Sequence, residues 1–251
     1  MINVLIPMAG PSQEVSQAGG FPPVLMEIEG KPVLQRIIEN YDSLSSVNFH
    51  FVVNEKDCTV FHIDRSLLLL TNETATIIKL RSDTRGAACS ALMAVEVIDN
   101  ETPLVIANAN QIIDVDYNQV IQGFVEADFD AGVLTFRSVH PKWSYVRLDE
   151  QGQIVQAAEK NPISRHAIAG FYYFRHGNFF VEAAKRMIQK DASVNDAFYV
   201  APVLNELILD GKRVGFKEID VAAYHSLYSE DRIEEYRRQL AQQRHQEKRV
   251  R

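Results

Sequence analysis

Apolar residues along this chain come in two rhythms, short solid runs and spaced stripes, which alternate through its first half. The first run, Asn3 to Met8, closes on Ala9-Gly10-Pro11-Ser12. Such a run ending in Gly and Pro predicts a buried parallel strand whose loop lies at the carboxyl edge of a sheet. Ligands of open α/β sheets bind at such edges. Val33, Leu34, Ile37, Ile38 and Tyr41 follow at helical spacing behind Pro32, so a helix is expected from Pro32 to about Leu44. Further strands are expected at Phe49 to Val53, Thr76 to Leu80 and Leu104 to Ala107, with helices near Cys58 to Leu69 and Gly86 to Ile98 between them. This is the β-α-β rhythm of a parallel sheet.

After Asn110 the rhythm changes. Tyr117 to Ala127 reads as a helix, and Ala131 to Arg137, Tyr145 to Leu148, Ile154 to Glu159 and Ile168 to Phe174 read as strands, so mixed pairing is expected. Helices at Phe179 to Gln189 and Tyr199 to Asp210, the second closed by Gly211, precede a last strand from Val214 to Asp220. A polar helix from Ser229 to about Gln246 ends the chain. The fold class is therefore α/β: one Rossmann-like domain with a mixed, mainly parallel sheet flanked by helices. Residues 1–228 form the domain and residues 229–251 a C-terminal helix with a basic tail.

Composition narrows the partners. With 251 residues, 46% of them hydrophobic, one domain can bury a core of ordinary size. A net charge of -7 provides no broad basic surface for a nucleic-acid backbone. Cys58 and Cys89 are the only cysteines and carry no metal-ligand spacing, which fits two thiols in a reducing compartment. No apolar run approaches membrane-spanning length, and the N-terminus lacks a basic leader, so a cytoplasmic protein is expected.

Five blocks carry a more specific signal. The first runs from Ile6-Pro7-Met8-Ala9-Gly10 through Phe21-Pro22-Pro23-Val24-Leu25 to Glu29-Gly30-Lys31-Pro32. The others are Thr84 to Cys89, Ile106 to Gln111, Glu159-Lys160 with Gly170 to Phe174, and Phe198 to Leu207. In this order they resemble the sugar-phosphate nucleotidyltransferases, or nucleoside-diphosphate-sugar pyrophosphorylases, including relatives in bacterial capsule and surface-polysaccharide pathways. The resemblance implies a GT-A-like nucleotidyltransferase fold. It also implies a reaction in which a sugar phosphate oxygen attacks the α-phosphate of a nucleoside triphosphate and pyrophosphate leaves. That chemistry needs cations over the phosphates and magnesium between the oxygens.

The family meets those needs with an A-G-x-G-S-R-F loop, a lysine in an F-P-K-P-L segment and a metal-binding aspartate. Here the second loop glycine corresponds to Ser12, the arginine to Glu14, the lysine to Pro23 and the aspartate to Asn110. Glu14 repels phosphate, Pro23 can carry no charge, and an amide is a poorer magnesium ligand than a carboxylate. A family Glu before the Phe198 block is Ala197, and a late G-T-P segment is represented by Tyr228-Ser229-Glu230. No catalytic residue is assigned on this reading, and magnesium is expected only if the protein is active.

The resemblance leaves as substrate-binding candidates Ala9, Gly10, Ser12, Gly86, Ala87, Asn108, Asn110, Glu159, Lys160 and Gly170, for a nucleotide or sugar nucleotide. For Glu159-Lys160 a surface ion pair competes with binding, and for Gly86 a tight helix-opening turn does. Asp114 and Asp116 could supply metal ligands, or an Asp-x-Asp for a glycosyltransferase, whereas Asp116 before Tyr117 could instead cap a helix. Arg85, Lys142, Lys160 and Arg165 are the cations that could turn toward the gap left at Pro23. Trp143, His140 and His166 read as surface or rim residues. In the last helix Ile233, Tyr236 and Leu240 share one stripe, and Arg244, Lys248, Arg249 and Arg251 gather near the end; a solvated tail or a contact with a subunit or acidic partner could explain them, and a homo-oligomer or an active relative is the protein partner considered.

Overall fold

The computed structural model describes residues 1–10 and 22–250, with the side chains of 243 and 245–250 outside the description. Ser12, Glu14 and Phe21 therefore lie outside the described residues. A nine-stranded mixed sheet forms the centre. Strands β1 (Ile2–Pro7), β4 (Val47–Asn54), β5 (Thr76–Leu80) and β6 (Leu104–Ala107) pair in parallel, with β1 between β4 and β6. A small hairpin, β2 (Glu27–Ile28) with β3 (Lys31–Pro32), lies between β1 and the first helix. On the other side of β6 the pairing turns antiparallel through β11 (His166–Phe174), which also meets β8 (Ala131–Arg137) and β9 (Ser144–Leu148). Strand β10 (Ile154–Glu159) pairs with β9, and β12 (Val214–Glu218) runs parallel to β8.

The solid apolar runs exist because this sheet is covered on both faces. Val4 and Ile6 of β1 point into one core, while Leu5 points into the other. Phe51 and Val53 against Val52, and Val105 and Ala107 against Leu104 and Ile106, divide the same way. Helices α1 (Val33–Glu39), α3 (Ile63–Leu70) and α6 (Tyr117–Glu126) cover the first face, together with the start of α9 (Glu230–Val250). The other face takes α4 (Ala87–Leu92), α5 (Val95–Ile98), α7 (Gly177–Gln189) and α8 (Val203–Leu209). No described helix is long and apolar enough to cross a membrane.

Four expected helices are shorter or broken. The helix behind Pro32 stops at Glu39, where Asn40 spends its side chain on Ile113: its Nδ2 donates to the Ile113 carbonyl and its Oδ1 accepts the Ile113 N–H. The stretch expected as one helix from Cys58 splits into α2 (Glu55–Phe61) and α3 at His62, which adopts a left-handed conformation with φ 54°. That conformation ends a helical turn. The stretch from Gly86 to Ile98 divides between α4 and α5 at Met93-Ala94. Helix α8 starts at Val203 behind Pro202, which suits a first turn.

Besides the β2–β3 hairpin, two short strands escaped the sequence pattern: β7 (Gln111–Ile113) and β13 (Tyr224–Ser226), which pair antiparallel. Their partners lie more than 100 positions apart, so no local rhythm announces them. Next to them, the C-terminal helix presses its stripe onto the body. Ile233 and Tyr236 are buried in the first core and Leu240 packs against it. Arg244 pairs with Glu29 at 2.8 Å, and Arg237 donates to the Glu27 carbonyl at 2.6 Å.

Candidate functional site

The carboxyl ends of three parallel strands open into a cleft of about 480 Å³. Pro7, Met8 and Gly10 follow β1, Val53 and Asn54 close β4, and Asn108, Ala109 and Asn110 follow β6. Pro22, Pro23 and Val24, around a short 3-10 turn, line it from above the hairpin. Asp57 of α2 and Ala87 of α4 lie on its wall. From the antiparallel half come Lys142, Trp143, Ser144, Glu159, Gly170 and Tyr172, and later segments add Tyr199, Leu227 and Tyr228.

Gly170 makes the far wall possible. Its φ of +64° interrupts the register between β11 and β8, and an added Cβ would sit 2.2 Å from Asn108 Nδ2. The Asn108 N–H donates to the Gly170 carbonyl at 3.1 Å, and Gln111 Nε2 donates to the carbonyls of Ala169 and Gly170. Gln111 is buried, so these bonds remove two carbonyls from solvent competition and hold the bulge against the loop after β6. Gly86 has a different task. Its φ of +108° and the approach of the Phe198 carbonyl, 2.5 Å from where a Cβ would stand, make it the turn on which α4 meets the Phe198 segment. Ala88 N–H donates to that same carbonyl at 3.0 Å.

Glu159 and Lys160 do not pair with each other. Glu159 is buried, and its Oε2 accepts a short hydrogen bond from Ser144 Oγ. Burial pushes its carboxyl above the usual range, against the opposing effects of Ser144 and Lys160. Lys160 takes a left-handed backbone with φ 52° and turns outward, where its Nζ donates to Tyr199 Oη at 2.7 Å and lies over that ring. Asp57 is likewise raised by burial. Among the four cations considered, Lys142 alone lines the cleft, with Nζ 4.5 Å over the Trp143 ring. Arg85 lies over Phe198 and pairs with Asp191, and Arg165 is exposed.

Of the expected site residues, Gly10, Ala87, Asn108, Asn110, Glu159 and Gly170 line one cleft. Ala9 is buried beneath it, while Gly86 and Lys160 support it from neighbouring positions. Trp143, read from sequence as surface or rim, is half-buried in the cleft wall, edge-on to Phe136 and Tyr224. Asn54 and Asp57 were missed because nothing local marks them, whereas Tyr172, Tyr199 and Tyr228 lie within segments that carry the resemblance but were not singled out as lining residues. Leu227 could have been found only from the structure: its N–H donates to the Asn110 carbonyl at 2.7 Å, extending the β7–β13 pairing to the cleft floor.

The two aspartates after β7 take no part in the cleft. Asp116 caps α6 by accepting from Gln119 N–H at 3.1 Å. Asp114 lies 2.8 Å from His225 Nε2. Among the described residues no group of three or more His, Cys, Asp or Glu could hold a metal ion. The oxygen donors in its described lining include the amides of Asn54, Asn108 and Asn110 and the carboxyl groups of Asp57 and Glu159, the last engaged by Ser144. At Asn110 the neutral amide is a poorer magnesium ligand than the carboxylate that the resemblance calls for there.

Residues 19–220 match the profile of the family described as Nucleotidyl transferase. The chain belongs to this family. Among curated proteins it is 24% identical over 201 residues to the bifunctional protein GlmU of Methanococcus aeolicus, a match covering 78% of this chain and 44% of that relative. The chain thus spans less than half the length of the curated relative it matches. Among solved structures it is similar to the nucleoside-diphosphate-sugar pyrophosphorylase from Vibrio cholerae RC9, with TM-score 0.79, 22% identity, and 94% of this chain and 99% of that one covered. A UDP-glucose pyrophosphorylase complexed with UDP-glucose matches with TM-score 0.75, 17% identity, and 97% and 100% coverage. These likenesses establish the nucleotidyltransferase fold, and the cleft lies at the edge of the sheet where that fold's parallel strands end.

Proposed function

We propose that this nucleotidyltransferase-family chain binds a nucleotide or sugar nucleotide in the cleft beyond β1 and β6 and has lost the charges that drive transfer. The observation that carries this reading is the lining itself. The frame of the cleft is intact, yet Pro23 and Asn110 face it where the family resemblance calls for a lysine and an aspartate. A transition state spreading negative charge over phosphate oxygens needs preorganised positive charge, and removing one such donor costs about 3–4 kcal/mol in comparable sites. Several such losses leave little turnover. The names of the structural neighbours support a place in nucleotide-sugar supply; we extend it to surface polysaccharide, with an active relative or a second copy of the chain as partner.

One observation favours an active enzyme instead: Lys142 reaches the same cleft as Pro23. The two readings part in a pyrophosphate-release assay with a panel of triphosphates and sugar phosphates. The unmodified protein is expected to give no turnover above background while its melting temperature rises with ligand. Combining Glu14→Arg, Pro23→Lys and Asn110→Asp is expected to raise turnover. Strong turnover by the unmodified chain would sink the proposal, and so would failure of every nucleotide and sugar nucleotide to shift melting.

A further inference from the structure

The cleft's charge and its rings say more about the ligand than its shape does. Its described lining holds one cation, Lys142, against two carboxyl groups, Asp57 and Glu159. Lys160 stands at the rim, but its ammonium is spent on Tyr199. Against this weak positive charge stand four aromatic side chains in the same lining: Trp143, Tyr172, Tyr199 and Tyr228.

A triphosphate carries about four negative charges at neutral pH, a nucleoside diphosphate sugar about two. Each extra charge brought within a few ångströms of Asp57 or Glu159 meets repulsion that a partly buried site screens poorly. Phosphate sites compensate with arginine forks, lysines or nests of backbone N–H groups. Here the described lining offers one lysine, Lys142, to a triphosphate. Rings and planar amides, by contrast, hold bases and sugar rings through stacking and directed hydrogen bonds, with little demand for charge. Asn54, Asn108 and Asn110 supply such amides.

We infer that the cleft discriminates by charge, taking a nucleoside diphosphate sugar, a product-type ligand, and rejecting the nucleoside triphosphate that a transferring enzyme must admit. This rests on the binding role proposed above, and it names the ligand class within it. It also supplies a reason for the lost transfer charges: a site that never receives the triphosphate has no use for them.

Trp143 is the only tryptophan in the chain, so its fluorescence reports on the cleft directly. The unmodified protein would be titrated in chelator with UDP-glucose, UMP and UTP, and with the corresponding thymidine, cytidine, adenosine and guanosine compounds, with calorimetry as a second readout. For at least one base, the diphosphate sugar is expected to bind at least tenfold more tightly than the triphosphate. Added salt should narrow that gap by screening the repulsion, whereas in a basic phosphate site salt weakens the triphosphate most. Pro23→Lys is expected to narrow the gap at low salt.

Triphosphates binding as tightly as diphosphate sugars for every base, or weakening most in salt, would overturn the inference while leaving the binding role standing. No binding by any compound would overturn both.

Discussion

Two glycines show how single residues decide the site. At Gly170 a methyl group would collide with the Asn108 side chain 2.2 Å away and with Gln111 Oε1 at 2.5 Å, on a backbone that side chains rarely adopt. Gly170→Ala is expected to cost about 1–3 kcal/mol of stability and to weaken ligand binding as well, because Asn108 must leave its place in the wall. Urea unfolding and calorimetry on the same variant would separate the two effects. Gly86→Ala meets backbone at Phe198 rather than a movable side chain, so its loss of stability should be at least as large. Glu159 makes a pH prediction. Burial raises its folded-state pKa above the ordinary 4.5, so its contribution to stability is fully present below pH 4.5 and is lost as pH rises through the raised value. Glu159→Gln should therefore remove that decline, its melting temperature gaining on the unmodified protein as pH rises above 4.5. An unchanged difference across that window would rule the argument out.

At the scale of elements, strands were legible and helix ends were not. A strand in a sheet covered on both faces is apolar at nearly every position, so the runs at Ile2–Pro7, Val47–Asn54, Thr76–Leu80 and Leu104–Ala107 announce themselves. Helix boundaries depend on contacts that spacing does not contain: Asn40 turns to Ile113, and His62 takes a left-handed conformation inside an unbroken helical stripe. The last helix carries the clearest prediction here. Ile233 is fully buried against the first core, and Ile233→Ala should destabilise by about 2–5 kcal/mol in denaturant unfolding. Arg244→Ala, which removes an exposed ion pair with Glu29, should cost less than about 1 kcal/mol. A reversed order would mean that the helix is held by charge rather than by its stripe.

For the whole molecule, two cores on either side of one sheet make the cleft a rigid edge rather than a gap between moving parts. Strands β1, β4 and β6 bring Gly10, Asn54 and Asn108 to that edge, and the antiparallel half brings Glu159 and Gly170 across from them. The chain's middle and last thirds meet there as well, because β13 pairs with β7 and Leu227 bonds Asn110. Ser226→Pro would block that strand without altering the cleft lining. It is expected to lower ligand affinity more than it lowers melting temperature, measured by titration and thermal unfolding.

The family resemblance, the α/β class, the main strands along the chain and six of the lining residues were written in local pattern, because periodicity and motif spacing are properties of neighbouring residues. So were Pro23 and Asn110, neutral residues where the resemblance calls for charge, because that reading needs only the identity of a residue at a known place in a motif. Tertiary structure alone decided that Glu159 turns to Ser144 and Lys160 to Tyr199, that Asp114 and Asp116 are occupied away from the cleft, and that Trp143 and three tyrosines line it. Those outcomes follow from which distant segments fold against one another, and side-chain partners across such separations leave no trace in local rhythm.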